Sequence, residues 1–111
     1  MSDAIIGIDA GTSMIKAVAF SAGGEPLATS RRNNAVLRPE PGWREQDMED
    51  TWDATAATVR EVVEDLESFD DDYEIQGLGI TAQGDGCWLV DDEGTPARAA
   101  ILWSDSRADE I

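Results

Sequence analysis

The segment Asp9-Ala10-Gly11-Thr12-Ser13-Met14-Ile15-Lys16 holds a carboxylate, a glycine turn, two hydroxyls and an ammonium. Gly11 lets the backbone turn tightly and approach an anion with no side chain in the way. Exposed N–H groups in such a turn form an anion-binding concavity, and the hydroxyls of Thr12 and Ser13 add donors. Asp9 can hold a hydrated magnesium ion, because Mg2+ favours a few carboxylates completed by waters and phosphates. Lys16 can offer a point charge on a flexible stem. The chemistry this set suits is phosphate binding, with Asp9, Gly11, Thr12, Ser13 and Lys16 as the contacts and Asp9 as the metal ligand. An ordinary hairpin with Asp and Gly in its turn accounts for the same spacing. The pattern is not a P-loop, which needs a longer Gly-rich run and a following helix.

A second polar group lies in Gly79-Ile80-Thr81-Ala82-Gln83-Gly84-Asp85-Gly86. Ligands gather at the carboxyl ends of strands in open α/β sheets. Gln83 can donate and accept, as sugar hydroxyls require, and a carboxylate such as Asp85 makes charge-assisted bonds to neighbouring hydroxyls. A plain turn rich in Gly, Asp and Gln is the competing reading. Further on, Trp103-Ser104-Asp105-Ser106-Arg107 offers an indole that can stack on a sugar and donate its N–H to an oxygen. Asp105 and Arg107 can pair with each other or support a cleft. A buried Trp with a surface ion pair is the alternative.

Elements must position these groups. Ala4 to Asp9, Ile15 to Phe20 and Pro26 to Val36 read as strands joined by short turns, an antiparallel meander. Leu37 to Met48, with Pro39, Pro41 and Gly42, reads as a loop in which Trp43 packs against the domain. Asp47 can cap a helix whose first turn holds Glu49 and Asp50. Trp52, Ala56, Val59, Val63 and Leu66 then form one apolar stripe, with Trp52 expected in the core. Ile75, Leu78 and Ile80 predict a buried strand, Cys87 to Val90 another, and Ala99 to Trp103 a last short one. The expected order is β-β-β-α-β-β with that final strand, and it contains no internal repeat.

Composition narrows the partners. The chain has 111 residues, 24 Asp and Glu against 8 Lys and Arg, and a net charge of -16. Such a surface repels nucleic-acid phosphates and anionic membranes. Salt screening would relieve its self-repulsion, so a salt-loving source and an ordinary acidic protein both fit. No run approaches the roughly 18 apolar residues of a membrane span. Met1 to Ile6 lacks the basic region of a secretory signal, and the single Cys87 suits a reducing cytoplasm.

Gly7-Ile8-Asp9-Ala10-Gly11-Thr12-Ser13 with Lys16 resembles the opening of the FGGY carbohydrate kinases, within the actin and hexokinase superfamily. Pro41-Gly42-Trp43-Arg44-Glu45-Gln46-Asp47 and Trp103-Ser104-Asp105-Ser106-Arg107 resemble two further segments of that family in family order. The resemblance implies a ribonuclease H-like α/β fold, represented in part by the meander, one helix and further strands. It implies ATP and Mg2+ as cofactors, Asp9 near the metal and transferred phosphate, and Gly11, Thr12 and Ser13 in the phosphate turn. It places Gln83, Gly84, Asp85, Trp103 and Asp105 with the substrate, Asp105 in a supporting position. Glycerol kinases write the sugar loop Thr-Asn-Gln-Arg-Glu-Thr, so Gly84 stands where they have arginine. Xylulose kinases place Met-His nearby, which is absent here, and Ala82-Gln83-Gly84-Asp85-Gly86 is nearest to erythritol and L-xylulose kinase-like members. The expected activity is ATP-dependent phosphorylation of a ketopentose or tetritol. Residues 1–111 would then be the N-terminal portion of the sugar-binding domain. The catalytic base and the ATP-binding domain would lie beyond residue 111, leaving the fragment inactive alone and prone to self-association. A non-catalytic actin-like ATP- or sugar-binding module is the alternative.

Overall fold

The computed structural model describes residues 1–111, apart from the side chain of Glu110. Strands β1 (Ser2–Ala10), β2 (Met14–Ser21) and β3 (Pro26–Asn33) form the expected meander. After a two-residue strand β4 (Glu45–Gln46), helix α1 (Met48–Glu67) crosses to β5 (Tyr73–Ala82). A short β6 (Ala100–Ile101) and a 3-10 turn (Arg107–Glu110) follow. The main sheet has the order β3-β2-β1-β5, with β1 and β5 parallel, and β4 and β6 make a separate antiparallel pair.

Alternation along β1 and β2 splits the sheet into two faces. Ala4, Ile6, Ile8, Ile15, Ala17 and Ala19 are buried on one. Three of these are alanines, which lets the helix approach closely over β2 and β3. Asp9 and Lys16 are register partners on the opposite face. The Asp47 carboxylate accepts from the N–H of Asp50 at 2.9 Å, so α1 starts where its cap predicts.

Four expectations need correction. The buried helix face runs through Thr58, Val62 and Leu66, while Trp52 is 73% exposed rather than core. Thr58 can be buried because its hydroxyl donates to the Ala54 carbonyl at 2.7 Å, a polar residue that hides its polarity in the helix. Second, β5 is not buried: Leu78 and Ile80 are 56% and 64% exposed. They pair in register with Ile6 and Ile8, but β5 is the sheet edge and α1 packs over β2 and β3. Third, β3 ends at Asn33 rather than Val36, because Asn34 leaves the ladder to bond elsewhere. Fourth, Cys87 to Val90 makes only isolated bridges, Cys87 to Ile101 and Val90 to Pro96. The Asp91 carboxylate, accepting from the N–H groups of Glu93 and Thr95, closes a tight turn there in place of a ladder.

Candidate functional site

The β1–β2 turn lies at the carboxyl end of β1, and the segment after β5 leaves the sheet beside it. Asp9, Gly11, Thr12, Gln83, Gly84, Asp85 and Trp103 together line one cleft of about 440 Å³. Residues from three separated segments thus meet. Lys16 is not among them; it lines a neighbouring trough on the open sheet face with Asp9, Val18, Phe20 and Thr81. Ser13 and Asp105 also lie outside the cleft wall.

The turn is held by its carbonyls. The Asn34 side-chain amide donates to the Gly11 carbonyl at 3.3 Å, Gln46 Nε2 to the Thr12 carbonyl at 2.5 Å, and the Asn34 backbone N–H to the Ser13 carbonyl at 2.8 Å. Asn34 is itself fixed by the Thr51 hydroxyl at 3.2 Å. With three successive carbonyls tied down, the N–H groups of Thr12 and Ser13 have no intramolecular acceptor among the described residues. That is the arrangement an anion needs. Gly11 is required here: a Cβ would sit 2.7 Å from the Met14 carbonyl oxygen, which accepts the Gly11 N–H at 3.0 Å.

The cleft side chains are linked. Trp103 Nε1–H donates to Thr12 Oγ1 at 3.0 Å, and that hydroxyl donates to Gln83 Oε1 at 3.0 Å. Gln83 Nε2 donates to Gln46 Oε1 at 2.8 Å. The indole N–H and the Thr12 hydroxyl, which as free groups could serve a sugar or a phosphate, are therefore engaged with each other. Trp103, 58% exposed, presents its ring to the cleft. Asp85 has a φ of 56°, in the left-handed region that Asp tolerates better than most residues.

Asp105 braces the cleft from behind. Its carboxylate receives Arg107 Nε at 2.9 Å, Arg107 Nη2 at 2.7 Å and the Arg44 backbone N–H at 2.7 Å. The Arg107 side-chain hydrogen bonds hold the Asp105 carboxyl far below the usual carboxylate range, and the Arg44 and Arg107 backbone N–H groups reinforce this against partial burial. Arg107 also donates to Glu45 at 2.7 Å and lies over the Trp43 ring at 3.9 Å. The tryptophan loop and the Asp105 segment are thereby bolted together. Gly42 completes the joint: its φ is 81°, and a Cβ there would meet Ser106 Oγ at 2.5 Å.

Sequence reasoning singled out neither Asn34 nor Gln46 as a site residue. Both are uncharged polar residues, and nothing local in the sequence marks them as buried. Gln46 lies inside the Trp-loop segment, between Glu45 and Asp47.

A meander, a crossover helix and a cleft joining an amide turn to a polar strand end define the first part of a sugar-kinase fold of the actin and hexokinase type. Residues 4–111 match the N-terminal domain of the FGGY family of carbohydrate kinases, and the chain belongs to this family. The glycerol kinase of Aquifex aeolicus is 40% identical over 108 residues, covering 96% of this chain and 21% of that protein. The L-xylulose/3-keto-L-gulonate kinase of Escherichia coli is 38% identical over 106 residues, covering 96% and 21%. The crystal structure of Plasmodium falciparum glycerol kinase with ADP matches the fold at a TM-score of 0.90 and 23% identity, covering 98% of this chain and 22% of that one. The chain therefore spans about a fifth of the length of the curated relatives it matches.

Proposed function

We propose that this chain forms part of the active site of a kinase that transfers a phosphoryl group from ATP to a hydroxyl of a small sugar or polyol. The observation that carries this reading is the single cleft joining the amide turn at Thr12 to Gln83, Asp85 and Trp103. The free N–H groups of Thr12 and Ser13 hold phosphate oxygens. Asp85 accepts from neighbouring hydroxyls of the acceptor, Trp103 covers an apolar face of it, and the second amide hydrogen of Gln83 stays available to an oxygen. Asp105 holds the segment that carries Trp103 against the tryptophan loop, through the Arg44 N–H and the Arg107 side chain. Lys16 acts at longer range from its trough beside Asp9.

The donor set fits a magnesium ion. Asp9 and Asp85 are the carboxylates of the cleft lining, and no cluster of metal-binding residues large enough for a protein cage exists among the described residues. Mg2+ prefers one or two carboxylates with phosphates and waters. Asp9 would hold it, and the ion would neutralise charge on the phosphate oxygens. The Plasmodium falciparum structure, named with ADP, supports a nucleotide as the phosphate source.

The acceptor belongs to the tetritol or ketopentose class. Identity does not choose it, since relatives named for glycerol and for L-xylulose stand at 40% and 38%. The open space at Gly84 supports this reading, since a Cβ built there meets nothing within 4 Å. Residues 1–111 form the N-terminal portion of the sugar-binding domain, and the general base for the attacking hydroxyl comes from another part of the enzyme. Among the described residues no helix is long and apolar enough to cross a membrane. A cytoplasmic setting belongs to this reading and suits the single Cys87.

The test is a coupled ADP-release assay with glycerol, erythritol and L-xylulose. The longer polypeptide that this reading requires turns over a four- or five-carbon acceptor, and the isolated 111 residues do not. Turnover by the isolated chain, or none by the longer one with any acceptor, overturns the proposal.

A further inference from the structure

Gln46 is fully buried and lies outside the cleft lining, yet it bonds both the Thr12 carbonyl and Gln83. Its bonds belong to a chain with fixed ends. Trp103 Nε1 can only donate, and the Thr12 carbonyl can only accept. Starting from that carbonyl, Gln46 must turn its Nε2 toward Thr12, which leaves its Oε1 facing Gln83. Gln83 must then turn its Nε2 toward Gln46 and its Oε1 toward the Thr12 hydroxyl. The hydroxyl donates to Gln83 and leaves a lone pair for the indole of Trp103. Every amide orientation follows from the two ends, with no freedom left.

We infer that Gln46 is a positioning residue that sets the hydrogen-bond polarity of the whole cleft. It reads the acceptor-only carbonyl of the phosphate turn and passes that polarity to Gln83. Gln83 therefore presents one remaining amide hydrogen and one carbonyl lone pair to the cleft, and Trp103 is held ring-outward. Through Gln46 the phosphate turn and the acceptor loop are joined by hydrogen bonds. The consequence for acceptor binding rests on the kinase reading; the polarity itself does not.

Gln46→Glu separates this role from simple space-filling. A protonated glutamic acid can donate to the Thr12 carbonyl and accept from Gln83, as the amide does. An ionised one can only accept, so it faces the Thr12 carbonyl without a donor. Burial raises the pKa of such a carboxyl. Glu45 points away, onto Arg98 and Arg107. The wild-type chain, which carries the same Asp9, Asp47 and Asp85, supplies the baseline.

The readout is the indole N–H resonance of Trp103 in the 15N-labelled chain, identified by its loss in Trp103→Phe. Gln46→Glu is expected to match wild type at low pH and to move away as the new carboxyl ionises. Gln46→Leu is expected to be displaced at every pH. The indoles of Trp43 and Trp52 report whether the rest of the fold is intact. If Gln46→Leu unfolds, the titration of Gln46→Glu decides alone. A Trp103 resonance that stays at the wild-type position in Gln46→Glu across the titration overturns the inference. In the complete kinase, kcat/KM for the acceptor in Gln46→Glu is expected to fall about tenfold between the low-pH and high-pH forms, relative to wild type. An unchanged ratio there, with the spectroscopic shift present, removes the functional half of the inference and leaves the structural half.

Discussion

Trp103 and Thr12 are 91 residues apart and joined by a single hydrogen bond from indole to hydroxyl at 3.0 Å. Thr12 is the node of the cleft, since its hydroxyl also serves Gln83. Thr12→Val keeps the shape and removes both bonds. The cleft is open, so water can rehydrate the orphaned groups, and the loss of stability is expected to be about 1 kcal/mol. Urea midpoints check this, with Thr12→Ser close to wild type because the hydroxyl is retained.

Asp105 gives the fold an acid-sensitive joint. Its carboxyl is held below the unfolded value chiefly by the Arg107 side chain. A lowered folded pKa means that the contribution is present above the unfolded pKa of about 3.9 and is lost as pH falls from there through the folded value. Melting temperature is therefore expected to fall below about pH 4, and Asp105→Asn to flatten that fall while lowering stability at neutral pH. Differential scanning calorimetry between neutral and acid pH checks both slopes.

The exposed side chains of β5 invite association. Leu78 and Ile80 lie on an uncovered edge strand with a free hydrogen-bonding side. The isolated chain is expected to self-associate as concentration rises, and Leu78→Lys with Ile80→Lys to suppress it. Sedimentation equilibrium gives the answer; a wild-type monomer at high concentration would count against this pairing.

The charge of -16 predicts a salt response. Self-repulsion acts over about 30 Å at 0.01 M salt and about 3 Å at 1 M. The melting temperature is expected to rise between those conditions. No change with sodium chloride would show that the carboxylates are already spaced widely enough to be harmless.

The meander and the helix start were legible because they rest on local rules. Ala4, Ile6 and Ile8 alternate, and Asp47 precedes Glu49 and Asp50 at capping distance. The helix face was harder to place, since a hydropathy stripe rewards Trp52 and ignores Thr58, whose hydroxyl is satisfied within the helix. The apolar residues of β5 suggest burial, yet burial depends on what covers the strand. Polar residues on the cleft wall could be picked out at a turn and a strand end. Asn34 and Gln46 could not, because their work is to meet carbonyls that only the tertiary fold brings within reach.

The convergence on Thr12 also has a kinetic meaning. Gln46, Gln83 and Trp103 arrive there from points 34, 71 and 91 residues away. The core cluster of β1, β2 and α1 is buried, whereas Trp103 at the cleft is 58% exposed. Regions with few buried apolar contacts open locally at lower free energy than the core. Hydrogen exchange should then find two clocks in one chain: slow amides beneath α1, and a faster set around the cleft that opens whenever the segment from Gln83 onward lifts away.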